Sequence, residues 1–135
     1  MSSRASVARS LEFQIEQRRR TVAQLQTLIA DFDRQAGDLD RYVRIDEDRA
    51  NNHDPSHFAY PTYAKAAIQR RENLMRSSVD LKTQLDAAMK AFDEAVEGLR
   101  VIRMQEAKER IEQLSGSVEA YSSDLDSQQH HAALI

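Results

Sequence analysis

The chain has 135 residues, of which 41% are hydrophobic and 30% charged, and a formal net charge of -3. This length predicts one domain, and the mixture is typical of long helices and coiled coils rather than of disordered chains. The lack of cysteine excludes disulfides and thiol chemistry, and the acidic balance argues against nucleic acid as the main partner.

The first predicted element is a long helix from about residue 5 to about residue 50. Its apolar residues recur at alternating steps of three and four, with β-branched residues at one core position and leucines at the other, as in two-stranded coiled coils. This stripe comprises Ala8, Leu11, Ile15, Val22, Leu25, Ile29, Phe32, Ala36, Leu39 and Val43. Arg18 interrupts the stripe, and we interpret it chiefly as a buried polar group that sets the register, with a partner surface as the alternative.

A loop is predicted at 51–61, because Pro55 and Pro61 cannot lie inside a continuous helix. It is longer than most connections between packed helices, which often indicates a function. The aromatic residues in and beside it are Phe58, Tyr60 and Tyr63. They could plug the open end of a hairpin, with Tyr42 or Ile45 beneath them, or anchor a partner, and both roles remain open.

The second predicted helix runs from about residue 62 to residue 114 or beyond. Its own stripe comprises Ala64, Ala67, Arg71, Leu74, Ser78, Leu81, Leu85, Ala88, Phe92, Ala95, Leu99 and Ile102. Matched antiparallel, the two stripes pair Leu39 with Leu74, Phe32 with Leu81, and Leu11 with Ile102. The predicted fold class is therefore all-α, with two long helices forming an antiparallel coiled-coil hairpin.

The apolar phase shifts by two positions after Ile102. A third stripe comprises Met104, Ala107, Ile111, Leu114, Val118, Tyr121 and Leu125. The first helix ends before it can face this stripe, so the second helix is expected to overhang. We predict a single helical hairpin over residues 1–121 and a poorly ordered, flexible tail over residues 122–135.

The sequence shows no catalytic constellation and no glycine-rich phosphate loop. His53, Asp54 and His57 could form a surface metal site, but a structural role for these loop residues is preferred. We therefore predict that the protein is not an enzyme, with no cofactor and no metal ligand. No segment is apolar and long enough to suggest membrane insertion or a secretory signal, and a cytosolic protein is expected.

The segments Phe13–Gln24, Ile29–Phe32, Asp38–Asp40, His53–Ala67 and Gln69–Leu74 carry a family likeness. They resemble the flagellar export protein FliJ family, in the form found in alphaproteobacteria, over roughly residues 5 to 112. The aromatic and proline-containing loop followed by the pair Arg70 and Arg71 is the most specific part of this resemblance.

The resemblance implies a non-enzymatic coiled-coil component of the flagellar type III protein export apparatus, with roles in protein transport, motility and chemotaxis. The implied partners are the export ATPase ring and its regulator, the export gate protein and export chaperones. The implied location is cytoplasmic, peripheral at the cytoplasmic face of the inner membrane at the flagellar base. The residues expected to bind partners are Phe58, Tyr60, Pro61, Tyr63, Arg70, Arg71, Arg18 and Arg19.

Two other interpretations remain open. The protein could be a general structural coiled coil that forms a homodimer through its first stripe, although a monomeric hairpin is favoured. It could also bind nucleic acid through its two arginine clusters, although both clusters are surrounded by charges of both signs.

Overall fold

Two long antiparallel helices pack against each other in the computed structural model, which describes the backbone of residues 3–133 and the side chains of residues 3–129. Helix α1 spans Ser3–Ala50 and helix α2 spans Thr62–Ala133. No strand occurs in the described backbone. The predicted pair of helices, with the second one longer, is therefore confirmed, and the loop between them covers the predicted residues 51–61.

The chain divides into two compact units, each built from both helices. The loop unit is Gln14–Asp93 and contains the connection between α1 and α2. The terminal unit combines Met1–Phe13 with Glu94–Ile135. Neither helix, within the residues described, has an apolar stretch long enough to cross a membrane.

The stripes predicted for the two helices form the packed faces. Every residue of the first two stripes is buried or half-buried with the exception of Arg18, whose side chain is exposed. The predicted burial of Arg18 is therefore wrong. A guanidinium group loses much of its hydration in an apolar seam, and its long stem lets the charge remain in water.

Polar contacts in the loop unit test the predicted register. The Asp33 carboxylate accepts a hydrogen bond from Ser78 Oγ at 2.8 Å and lies 3.8 Å from Lys82 Nζ. If Phe32 is opposite Leu81, the next residue of α1 should face the middle of the interval between Ser78 and Lys82, as it does. Ser78 is buried, and its bond to Asp33 satisfies a hydroxyl that would otherwise be costly inside the seam.

Packing in the terminal unit brings α1 close to α2 at a glycine. Leu99 and Ala95 are buried in this unit, and a methyl group placed on Gly98 would lie 3.6 Å from Leu11 Cδ1. That separation is ordinary van der Waals contact, so an alanine would also fit at position 98 and the packing against Leu11 does not require glycine.

Ion pairs continue the helix pairing to the beginning of α1. Arg103 Nη2 donates to Glu12 Oε1 at 2.9 Å, and Arg4 forms an ion pair with Glu109. From residue 108 to residue 129 every described side chain is exposed. The predicted overhang of the second helix is thus confirmed, since α2 continues to Ala133 without a facing segment among the described residues. Poor order of residues 122–135 stays a prediction, and residues 134 and 135 lie outside the described residues.

Candidate functional site at the loop end of the helix pair

The loop begins with a cap that ends α1 sharply. Asn51 has a positive φ of 47°, a left-handed conformation that asparagine tolerates better than most residues. Its N–H donates to the Asp48 carbonyl at 3.2 Å, and the Asn52 N–H donates to the Glu47 carbonyl at 3.1 Å. This is a Schellman motif, and it satisfies two carbonyls that the helix end leaves without partners. The direction in which the loop leaves α1 is therefore well defined.

Asp54 organises the turn that contains Pro55. Its Oδ1 accepts hydrogen bonds from the Ser56 hydroxyl at 2.6 Å and from the Ser56 N–H at 3.0 Å. Its carbonyl accepts the His57 N–H at 3.0 Å. The bond from the Ser56 hydroxyl, followed by that from the Ser56 backbone, lowers the pKa of Asp54 below its ordinary value. The loop is thus stabilised by local side-chain bonds to its own backbone.

The two loop histidines take part in the same local network. His57 Nδ1 accepts a hydrogen bond from the Ala59 N–H at 3.0 Å. His53 Nε2 lies 2.9 Å from Asp48 Oδ1. Among the residues whose side chains are described, no group of three or more His, Cys, Asp or Glu could hold a metal ion. The two remaining histidines, His130 and His131, have side chains outside the described residues.

Tyr60 is the aromatic residue that plugs the end of the seam. It is 7% exposed and packs in one apolar cluster with Val43, Ala64 and Ala67. Its hydroxyl donates a hydrogen bond to Glu47 Oε2 at 3.0 Å, so the polar end of the buried ring is satisfied. The plug role is therefore correct for Tyr60.

Two residues of α1, Tyr42 and Ile45, were predicted to lie beneath the aromatic plug. Tyr42 and Ile45 are both exposed, so their predicted position under the aromatic residues is wrong. Val43 takes this place because it lies on the heptad face that meets α2, whereas its neighbours along the helix point to other sides.

Burial of Tyr60 makes the folded state sensitive to high pH. Desolvation, and then the hydrogen bond to Glu47, raise the pKa of the Tyr60 hydroxyl above its ordinary value of about 10. In the folded protein the hydroxyl therefore keeps its proton at a pH where the unfolded chain has lost it. The resulting stabilisation is fully present below the unfolded pKa and is lost as the pH rises through the folded one.

We expect the free energy of unfolding to fall between pH 9 and pH 11.5 by more in the wild-type protein than in a Tyr60→Phe variant, which has no hydroxyl to ionise. Urea denaturation followed by circular dichroism at a series of pH values measures both slopes. A Tyr63→Phe variant is the matched control, since Tyr63 is exposed. Equal slopes in the wild-type and Tyr60→Phe proteins would contradict the prediction.

Phe58 and Tyr63 are the exposed aromatic residues of this end. Phe58 is 96% exposed and Tyr63 is 74% exposed. The Phe58 ring stacks on the His57 ring, with centroids 4.6 Å apart and planes inclined by 27°. A hydrogen bond from the Ala59 N–H fixes the position of the His57 imidazole, and the exposed Phe58 ring stacks on it. We call Phe58, Tyr63 and Arg70 the apical surface.

Two residues of the apical surface, Tyr63 and Arg70, also line a shallow groove. It is lined by Leu39, Tyr63, Ala66, Ala67 and Arg70. Arg70 is exposed, whereas its neighbour Arg71 is half-buried and forms an ion pair with Asp40 of α1. The arginine pair predicted to bind partners is thus divided: Arg71 joins the two helices, and Arg70 remains accessible. Pro61 is half-buried and immediately precedes α2.

The two arginines of α1 that were predicted to bind partners lie far from the loop. Arg18 and Arg19 are both exposed, and they lie roughly 48 Å from the loop along the helix at 1.5 Å per residue. Arg19 Nη2 donates to Glu16 Oε1 at 2.6 Å, one turn away on the same helix. The structure therefore does not bring these residues together with the apical surface.

Three residues that hold this end were not identified from the sequence. Glu47 accepts a hydrogen bond from the Tyr60 hydroxyl, and Asp40 forms an ion pair with Arg71. Asn51 ends α1 in a left-handed conformation. Glu47 lies one helical turn after Val43, so its position above the buried face was a usable signal.

The chain was compared with protein-family models, with curated proteins and with solved structures, and none of the three comparisons found a match.

Proposed function

We propose that this protein is a non-enzymatic coiled-coil component of the flagellar type III protein export apparatus. In this proposal it binds the export ATPase ring and its regulator, the export gate protein and export chaperones, and promotes substrate export. It acts in the cytoplasm, peripherally at the cytoplasmic face of the inner membrane at the flagellar base. The resemblance of residues 53–67 and 69–74 to that family is the basis for naming these partners.

The observation that carries the proposal is the exposure of Phe58 on an ordered loop. An apolar ring of this size gains free energy when a partner removes it from water. Hydrogen bonds from Ser56 to Asp54 and from Ala59 to His57 already hold the loop. The loop therefore loses little additional conformational freedom when a partner binds. The apical surface is therefore suited to recognition of another protein, with Phe58 as the anchor.

The alternative of a homodimer through the first stripe is less well supported. The residues of that stripe on α1 pack against α2 and are buried or half-buried. A second copy could use this stripe only after the two helices had separated. The hairpin would then lose the packing that the stripe already provides.

We expect Phe58→Ala to weaken binding of the cognate export ATPase at least about 30-fold, since truncation of an aromatic anchor typically costs 2 kcal/mol or more. Binding is measured by isothermal titration with purified proteins, and ATP turnover by the ATPase is followed in parallel. Phe13→Ala is the matched control, because Phe13 is also an exposed phenylalanine and belongs to the terminal unit.

Two results would contradict the proposal at different levels. If wild-type protein neither binds the ATPase nor changes its turnover, and a deletion strain swims normally, the assignment to flagellar export is wrong. If wild-type protein binds and Phe58→Ala binds equally well, the assignment stands but the apical surface is not the contact.

A further inference from the structure

The end of α2 carries an apolar stripe that the chain itself does not cover. The overhang stripe comprises Ile111, Leu114, Val118, Tyr121 and Leu125, all exposed. Leu114, near the middle of the stripe, is 65% exposed. The cross-helix ion pair nearest to it is that between Arg4 and Glu109. A continuous apolar stripe of this length on a solvated helix indicates an interaction surface.

The spacing of the overhang stripe is that of a coiled-coil seam. Its members are separated alternately by three and four residues, which places them on one face of α2. Ile111 and Val118 are β-branched and share one core position, while Leu114 occupies the other. This alternation favours packing against a single second helix rather than against a sheet or a flat surface.

We infer that the overhang stripe binds the overhang stripe of a second copy of this chain, with the two α2 helices antiparallel. Leu114 then packs against Val118 of the second copy, and Ile111 packs against Tyr121 of the second copy. Both contacts occur twice, because a two-fold axis relates the copies. In this register four of the five residues of the overhang stripe meet one another across the two-fold axis, and Leu125 faces Ala107 of the second copy.

Charges beside the seam determine the antiparallel orientation. In the inferred register Arg110 faces Asp124 of the second copy, and the two-fold axis repeats this ion pair. The remaining flanking pairs, such as Lys108 with Ser122 of the second copy, contain no like charges. Both Arg110 and Asp124 are exposed in the single chain and are therefore accessible.

A parallel arrangement lacks this complementarity. It would place Arg110 beside an uncharged Ser115 of the second copy, and the ion pair between Arg110 and Asp124 would not form. The charge pattern of the overhang thus favours the antiparallel pair. This inference goes beyond the proposed function and does not depend on it.

The association is expected to be weak and concentration-dependent, because only about four core layers contribute. Sedimentation equilibrium of the full chain from about 5 µM to about 500 µM should show a mass rising from the monomer value of 15.4 kDa toward that of a dimer. Leu114→Glu should weaken the association more than about tenfold. Leu28→Glu is the matched control: it is the same change at an exposed leucine in the loop unit, and it should leave the association unchanged.

Charge exchange tests the orientation. Arg110→Glu should weaken the association roughly 5-fold or more, since it replaces two attractions by two repulsions. The double variant Arg110→Glu/Asp124→Arg restores both pairs with reversed signs, and should recover the wild-type affinity within about twofold. Circular dichroism of each variant checks that the helices remain folded.

Each possible result decides the inference. A wild-type protein that stays monomeric at the highest concentration would overturn it, as would a Leu114→Glu variant that associates as well as wild type. If the wild-type protein dimerises but the double variant does not recover the affinity lost in Arg110→Glu, the antiparallel arrangement is wrong. Loss with Arg110→Glu and recovery in the double variant would support it.

Discussion

Truncation of Tyr60 to alanine is expected to lower the free energy of unfolding by about 3 kcal/mol. The ring is buried against Val43, Ala64 and Ala67, so its removal leaves a cavity at the end of the seam. It also removes the hydroxyl that donates a hydrogen bond to the Glu47 carboxylate. Urea denaturation followed by circular dichroism measures the loss.

Phe58→Ala is the control for this prediction, since it removes an aromatic ring from the same loop at a position 96% exposed. It should change the free energy of unfolding by less than about 0.5 kcal/mol. The two variants should therefore separate stability from partner binding. If both lose a similar amount of stability, the assignment of Tyr60 as the plug and Phe58 as the exposed anchor is wrong.

Placing a carboxylate at Ala67 is expected to have a comparably large effect. Ala67 is buried in the same apolar cluster, and an aspartate there would lose much of its hydration. Arg70 and Arg71, one turn along α2, compensate for only part of this loss, since Arg70 remains in water and Arg71 already pairs with Asp40. We expect Ala67→Asp to lower the free energy of unfolding by about 3 kcal/mol, measured as a shift of the urea midpoint.

The adjacent residue provides a matched control for this substitution. Ala66 is exposed on the same helix, and Ala66→Asp makes the same chemical change one position earlier. Its effect should remain within about 0.5 kcal/mol, because the carboxylate stays hydrated. Losses of the same size at both positions would show that helix propensity, rather than burial, dominates.

The fold was largely predictable from the spacing of apolar residues. A heptad period shows which face of each helix must leave water. Matching two such faces leaves registers that differ by seven residues, and the length of the loop selects one of them. The partners of Asp33 illustrate this, because Ser78 and Lys82 lie on either side of the position that the stripes predict. Arg18 was misplaced because periodicity locates a position, whereas desolvation of the charge decides where the guanidinium goes.

The candidate site was predictable only in part. The prolines and aromatic residues marked the loop, but they could not show which ring is buried. Tyr60 takes that place because it reaches the Val43 cluster and has a hydroxyl that meets Glu47, a contact thirteen residues away in the chain. Phe58 has no polar end to satisfy and rests instead on the His57 ring.

The sequence by itself determined the two long helices, the loop between them and the antiparallel register, because these depend on local propensity and on a repeating pattern. Only the tertiary structure decided the separate roles of Phe58 and Tyr60 and the division of Arg70 from Arg71. Those depend on which groups meet across the helix pair, where Asp40 and Glu47 accept hydrogen bonds from one arginine and one tyrosine. Contacts of this kind are set by geometry between distant residues, which composition and period do not encode.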